Sequence, residues 1–169
     1  MLDPACVPPV SPGELLSRFV LFSSHVRRSD NSVKQDAFIP HPKPELSLTR
    51  QINATDSELW QEGDRVAQIR SCTLYGRAVL QASAFNDEDL TVVAKPIPAN
   101  PNHADAINWP ADKAAQKMKA VLIASKAEFI PTPTLLVIAK RLTRHVSPAL
   151  SPQPHQNSTR SALGRFRQR

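Results

Sequence analysis

Glycine is scarce in this chain, four residues in 169, which excludes the glycine-rich loops that cradle phosphates. No G-x-x-x-x-G-K-[ST], G-x-G-x-x-G, H-E-x-x-H or G-x-S-x-G pattern occurs. Aromatic residues make up only 5%, so the expected core is modest. The two cysteines, Cys6 and Cys72, are too few for a four-ligand structural zinc site. They are also too few for a disulfide framework, and they read as free thiols in a reducing compartment. The longest apolar run, Leu135 to Ala139, falls far short of the roughly eighteen residues of a membrane span. At the N-terminus Asp3 stands where a secretory leader carries positive charge, and Arg18 breaks the run from Leu15 to Phe22. These absences predict a cytoplasmic protein with no membrane partner, no cofactor and no metal.

Proline and positive charge are what the chain has in excess. Sixteen prolines favour extended connectors over tight glycine turns. The net charge of +6 is unevenly placed. Residues 140–169 hold seven basic groups, Lys140, Arg141, Arg144, Arg160, Arg165, Arg167 and Arg169, and no acidic one. The remaining 14 basic and 15 acidic groups leave residues 1–139 at −1, so the basicity belongs to the tail. Such asymmetry points to an anionic partner, nucleic acid above all, met through phosphate contacts without base specificity.

Along the chain, Pro4, Pro8, Pro9 and Pro12 predict disorder over residues 1–13. Leu15, Leu16, Phe19, Val20 and Phe22 suggest an amphipathic helix from Gly13 to Phe22. Alternation over Glu45 to Ile52 predicts a strand. Thr55 and Glu58 have capping-box spacing, which starts a helix from Asp56 to about Ile69 that Gly63 weakens and that buries Leu59, Trp60, Val66 and Ile69. Leu74 to Phe85 and Leu90 to Ala94 read as two strands paired in a hairpin across Asn86 to Asp89. Lys95 to Pro110 looks irregular. A helix from about Pro110 to Phe129 follows, with an apolar stripe of Ala114, Met118, Val121, Leu122 and Phe129. A short basic amphipathic helix over 134–146 is suggested by Leu135, Ile138, Ala139, Leu142 and Val146. The predicted architecture is α+β, a short antiparallel sheet packed by two or three helices within 14–130, followed by a basic, proline-rich tail over 131–169.

Three groups of residues have chemistry to offer. His103 and Asp105, two apart, could serve as base and orienter or as two metal ligands, although no third ligand lies nearby. Their structural alternative is that Asn102, His103 and Asp105 shape turns and Trp109 anchors the loop. In Tyr75-Gly76-Arg77-Ala78 the glycine permits close backbone approach and Arg77 could grip a phosphate or carboxylate. A solvated or paired Arg77 in a strand is the alternative. His25, Arg27, Arg28 and Lys34 form a basic loop, read as solvated rather than as a phosphate contact.

Taken as strings, several segments resemble a group of small bacterial proteins with no established activity. They are Phe22-Ser23, Ala37-Phe38-Ile39-Pro40, Glu45-Leu46-Ser47 with Arg50, Glu58-Leu59-Trp60, Tyr75-Gly76-Arg77-Ala78, and His103 to Ile107 with Trp109-Pro110 and Lys113. The resemblance spans about residues 19–129 and implies no reaction. The leading expectation is therefore a non-enzymatic binding or accessory module whose tail touches nucleic acid. One rival is a small enzyme with a site of His103, Asp105 and Arg77. Another is a protein-interaction partner that uses the helix at 134–146.

Overall fold

The computed structural model describes residues 1–133. The helix expected at 134–146 and the seven basic tail groups lie outside the described residues. Six strands form one antiparallel sheet: β1 (Leu15–Val20), β2 (Leu46–Arg50), β3 (Gly76–Gln81), β4 (Thr91–Ala94), β5 (His103–Ile107) and β6 (Glu128–Pro131). Their order is β4-β5-β2-β1-β3-β6 and every pair is antiparallel. Three helices accompany them: α1 (Asp56–Ile69), the single turn α2 (Ser83–Asn86) and α3 (Lys113–Ser125). The α+β expectation with an antiparallel sheet holds. Among the described residues no helix is long and apolar enough to cross a membrane.

Alternation along the strands divides the core between the two faces of the sheet. Leu16, Val20, Leu48 and Leu80 join Phe38, Phe85 and Ile123 in the larger cluster, which α3 covers. Phe19 turns the other way and packs with Ala67, Leu74, Trp60 and Val66 under α1. Gly63 is the reason α1 can lie so close, since a Cβ there would meet Leu74 at 2.9 Å and Phe19 at 3.0 Å. The capping box forms as the spacing predicts, with Thr55 and Glu58 each satisfying the other's backbone N–H. β2 also appears where the alternation places it.

Several expectations are corrected. Gly13 to Phe22 is not a helix but contains the strand β1, which lies between β2 and β3. A strand covered on both faces loses its polar alternation, and its apolar run then mimics a helix. The expected hairpin of Leu74–Phe85 with Leu90–Ala94 does not form. β3 ends at Gln81, α2 takes up Ser83 to Phe85, and β4 pairs with β5 instead, with three strands separating it from β3. Lys95 to Pro110 is not all irregular, because His103–Ile107 is β5; Ala104 and Ala106 supply its core face and its prolines lie outside it. α3 exists, but turned from the expected stripe: Gln116, Ala120, Ile123 and Ala124 are buried, whereas Met118, Val121 and Leu122 face outward and Phe129 belongs to β6. Small residues on the inner side let the helix approach the sheet, and buried Gln116 donates to the Pro110 carbonyl and accepts from Lys113.

The expected disorder of residues 1–13 is also overturned, because the segment is tied down at several points. The Leu2 amide donates to Asn102 Oδ1, and the terminal amine reaches Glu58. Arg50, fully buried, donates to Glu14 through Nε and Nη2 and to the carbonyls of Pro8 and Pro9. Prolines that predict an extended path do so here, but their carbonyls are spent on a buried guanidinium.

Candidate functional site

His103 and Asp105 sit on β5 two residues apart and so face the same side of the sheet, the side that α1 covers. The His103 Nδ1 lies 2.8 Å from the Lys95 carbonyl, which can only accept, so Nδ1 carries the hydrogen. Nε2 faces Asp105 Oδ1 at 3.6 Å. Lys95 bridges Asp105 and Glu45 at 2.9 and 2.8 Å, contacts that push its ammonium further up from the usual lysine value. Nδ1 of His103 is thus committed to a protein carbonyl, while Nε2 makes no hydrogen bond to Asp105 at that distance. Asn102 is structural, with its amide donating to the carbonyls of Arg50 and Ile52.

Arg77 does not join this pair. It lies on β3, separated from β5 by β1 and β2, so at about 4.8 Å per strand the backbones stand roughly 14 Å apart. Its guanidinium pairs with Asp56 and stacks 4.8 Å over the Trp60 ring. Nε and Nη1 of Arg77 are buried with no acceptor among the described residues. The neighbouring Gly76 does permit a close approach, but by β6: a Cβ there would meet the Ile130 carbonyl oxygen at 2.5 Å. The basic loop closes locally, with Arg27 on Asp30 and Ser32 and a bridge between Val26 and Val33.

A different constellation emerges where β1 and β2 part. Their pairing stops at Ser17↔Thr49, although β2 runs on to Leu46 beside β5. Over this gap a cleft of about 230 Å³ opens between the two strands and the C-terminal half of α1. Arg18, Arg65, Arg70 and His103 line it, together with Glu62 and Asn100. Glu62 is buried and commits both carboxylate oxygens to Arg65, at 2.6 and 2.7 Å, while Asn100 donates to it at 3.0 Å. Arg65 is therefore neutralised.

Arg18 and Arg70 are not. Arg18 donates through Nε to the Ala37 carbonyl and through Nη1 to the Ser47 carbonyl, both at 2.9 Å. It has no carboxylate partner among the described residues. Burial, and then the charge of Arg70, push its guanidinium down to about 10, and Asp105 only partly offsets this. Arg70, the C-terminal cap of α1, makes no ion pair among the described residues either. Arg18 thus brings a partly buried positive charge and Arg70 an exposed one to the same cleft, neither in an ion pair among the described residues. An anion held there could accept charge-assisted hydrogen bonds from both guanidiniums, the stronger one on the partly buried Arg18 side.

Sequence reasoning singled out only His103 of this set. Arg18 was legible merely as a break in an apolar run, and nothing in the spacing links residue 18 with residue 70. Among the described residues, no group of three or more His, Cys, Asp or Glu side chains converges as a metal site would require. Compared with protein families, with curated proteins and with solved structures, the chain finds no match in any of the three.

Proposed function

We propose that this protein is a non-enzymatic binding module that holds an anionic ligand in the cleft between α1 and the sheet. The observation that carries the reading is the pair Arg18 and Arg70, two guanidiniums lining one cleft, neither paired with a carboxylate among the described residues. Binding rather than catalysis is favoured because the acid–base groups of the cleft are engaged with protein groups: Glu62 holds Arg65, and His103 commits Nδ1 to the Lys95 carbonyl. The test is amide and guanidinium NMR of the full chain titrated with inorganic phosphate and with acetate. Shifts confined to Ser17, Arg18, Ser47 and Arg70, and weakened about tenfold or more in Arg18→Met, are expected. Arg70→Gln, at an exposed helix end, gives the same direction without disturbing the sheet. Absent shifts, or shifts scattered over every surface lysine, overturn the reading.

A second reading concerns the tail and is favoured by its charge: seven basic groups and no acidic one in residues 140–169. These groups contact nucleic-acid phosphates without reading sequence. Duplex binding is then expected to fall with salt by a log–log slope of about −0.9 per phosphate contact, and to vanish in a chain ending at Ala139. Equal affinity of the two chains would remove the tail from the account.

A further inference from the structure

The lining of the cleft is not uniformly polar. Ile69 of α1 is 70% exposed and Ile97, in the loop between β4 and β5, is 38% exposed, and both belong to it. Phe19 and Val66 add apolar surface from β1 and from α1. Ile69 and its neighbour Arg70 thus place an apolar and a cationic side chain at the same end of α1. A helix end could have put polar residues at both positions; here a large aliphatic side chain stays in solvent beside a guanidinium that has no ion pair among the described residues. The volume, about 230 Å³, is below the roughly 300–1,000 Å³ of pockets that take drug-sized molecules. A nucleic-acid backbone presents repeated phosphates along an extended path, whereas this recess offers one charged locus and an apolar rim.

Resting on the anion-binding reading, we propose that the ligand is a small amphiphilic organic anion whose carboxylate or phosphate head lies between Arg18 and Arg70 and whose short apolar body covers Ile69 and Ile97. A carboxylate can take the two guanidiniums through its two oxygens, and a phosphate monoester offers a third acceptor and a second charge. The apolar body then removes Ile69 and Ile97 from water, which an inorganic anion cannot do.

The probes are acetate, hexanoate, inorganic phosphate and hexyl phosphate, added to the full chain and followed by amide NMR and calorimetry. Each methylene buried against an isoleucine is worth about a factor of four, so hexanoate, with four more methylenes than acetate, is expected to bind at least about tenfold tighter. Ile69→Ser and Ile97→Ser are expected to remove that advantage while leaving acetate binding as it is, and Arg70→Gln to weaken both carboxylates alike. Comparison of hexanoate with hexyl phosphate tells which head group the guanidiniums prefer. Hexanoate binding no tighter than acetate overturns the amphiphile inference and leaves the anion site standing. Failure of all four probes removes the site itself. Displacement of bound acetate by a short single-stranded oligonucleotide, with hexanoate inactive, would assign the cleft to nucleic acid and refute this inference.

Discussion

Glu14→Gln probes the buried pairing that ties the N-terminal segment to the sheet. Arg50 is wholly buried and spends four hydrogen bonds, two on the Glu14 carboxylate at 2.5 and 2.8 Å and two on the Pro8 and Pro9 carbonyls at 2.7 and 3.3 Å. The amide keeps one acceptor but turns an NH₂ toward the guanidinium and removes the one carboxylate that pairs with it among the described residues. Breaking a buried pair from one side in this way costs about 3–5 kcal/mol, because the remaining charge stays buried and uncompensated. That is a large part of the roughly 5–15 kcal/mol available to a domain. With a urea slope of about 2 kcal/mol/M, the midpoint falls by about 1.5–2.5 M. The assay is equilibrium urea unfolding of the full chain, followed by the fluorescence of Trp60 and Trp109, with the slope required to stay constant. The double change Glu14→Leu with Arg50→Met removes both charges and should cost less than Glu14→Gln alone. A loss below about 1 kcal/mol for Glu14→Gln, or a double variant less stable than the single one, refutes this account of how the segment is held.

Two further outcomes follow from local geometry. Gly76→Ala sets a Cβ 2.5 Å from the Ile130 carbonyl oxygen and 2.6 Å from the Phe129 ring, so β6 must shift, at a cost of about 1–3 kcal/mol. Hydrogen exchange should then speed up in β6 more than in β1 or β2, and unchanged protection of β6 would contradict the contact. Glu58 is held down to about 2 from its usual 4.5, chiefly because its carboxylate accepts the Thr55 backbone N–H. A depressed folded value means that this support is complete above pH 4.5 and is lost as pH falls toward 2. Urea midpoints of the native chain should fall through that window more steeply than those of Glu58→Gln, and parallel curves would show that the capping carboxylate contributes nothing.

How much of this was written in the sequence depends on how local the determining contacts are. α1 was legible because its signal is local: Thr55 and Glu58, three residues apart, satisfy each other's backbone. β2 was legible because Leu46 and Leu48 alternate with Ser47 and Thr49, although the polar residues are covered rather than left in solvent. β1 was not, since coverage on both faces made Leu15 to Val20 read as a helical stripe. β5 was hidden because two alanines supply its core face and four prolines surround it. The outward turn of Met118, Val121 and Leu122 on α3 was invisible to periodicity, which finds an apolar stripe without saying whether the fold uses it. The cleft was the least legible feature of all. It depends on where the β1–β2 pairing stops and on which residue fills the gap, a property of register rather than of any motif. His103 and Asp105 were found for their chemistry, and the structure keeps them together while holding Arg77 three strands away.

The strand order has a consequence for how the chain leaves the ribosome. β1, β2 and β3 are the first strands to emerge and already form the centre, with β1 between its two partners. β2 gains its second neighbour only when residues 103–107 appear, and β3 only with residues 128–131. A sheet of these three strands alone would carry two open edges, the condition under which sheets pair with other chains. Asn102, which donates to the Arg50 and Ile52 carbonyls and accepts from Leu2, arrives just ahead of β5. Asn102 thus joins closure of that edge to capture of the N-terminus, since one side chain serves both contacts.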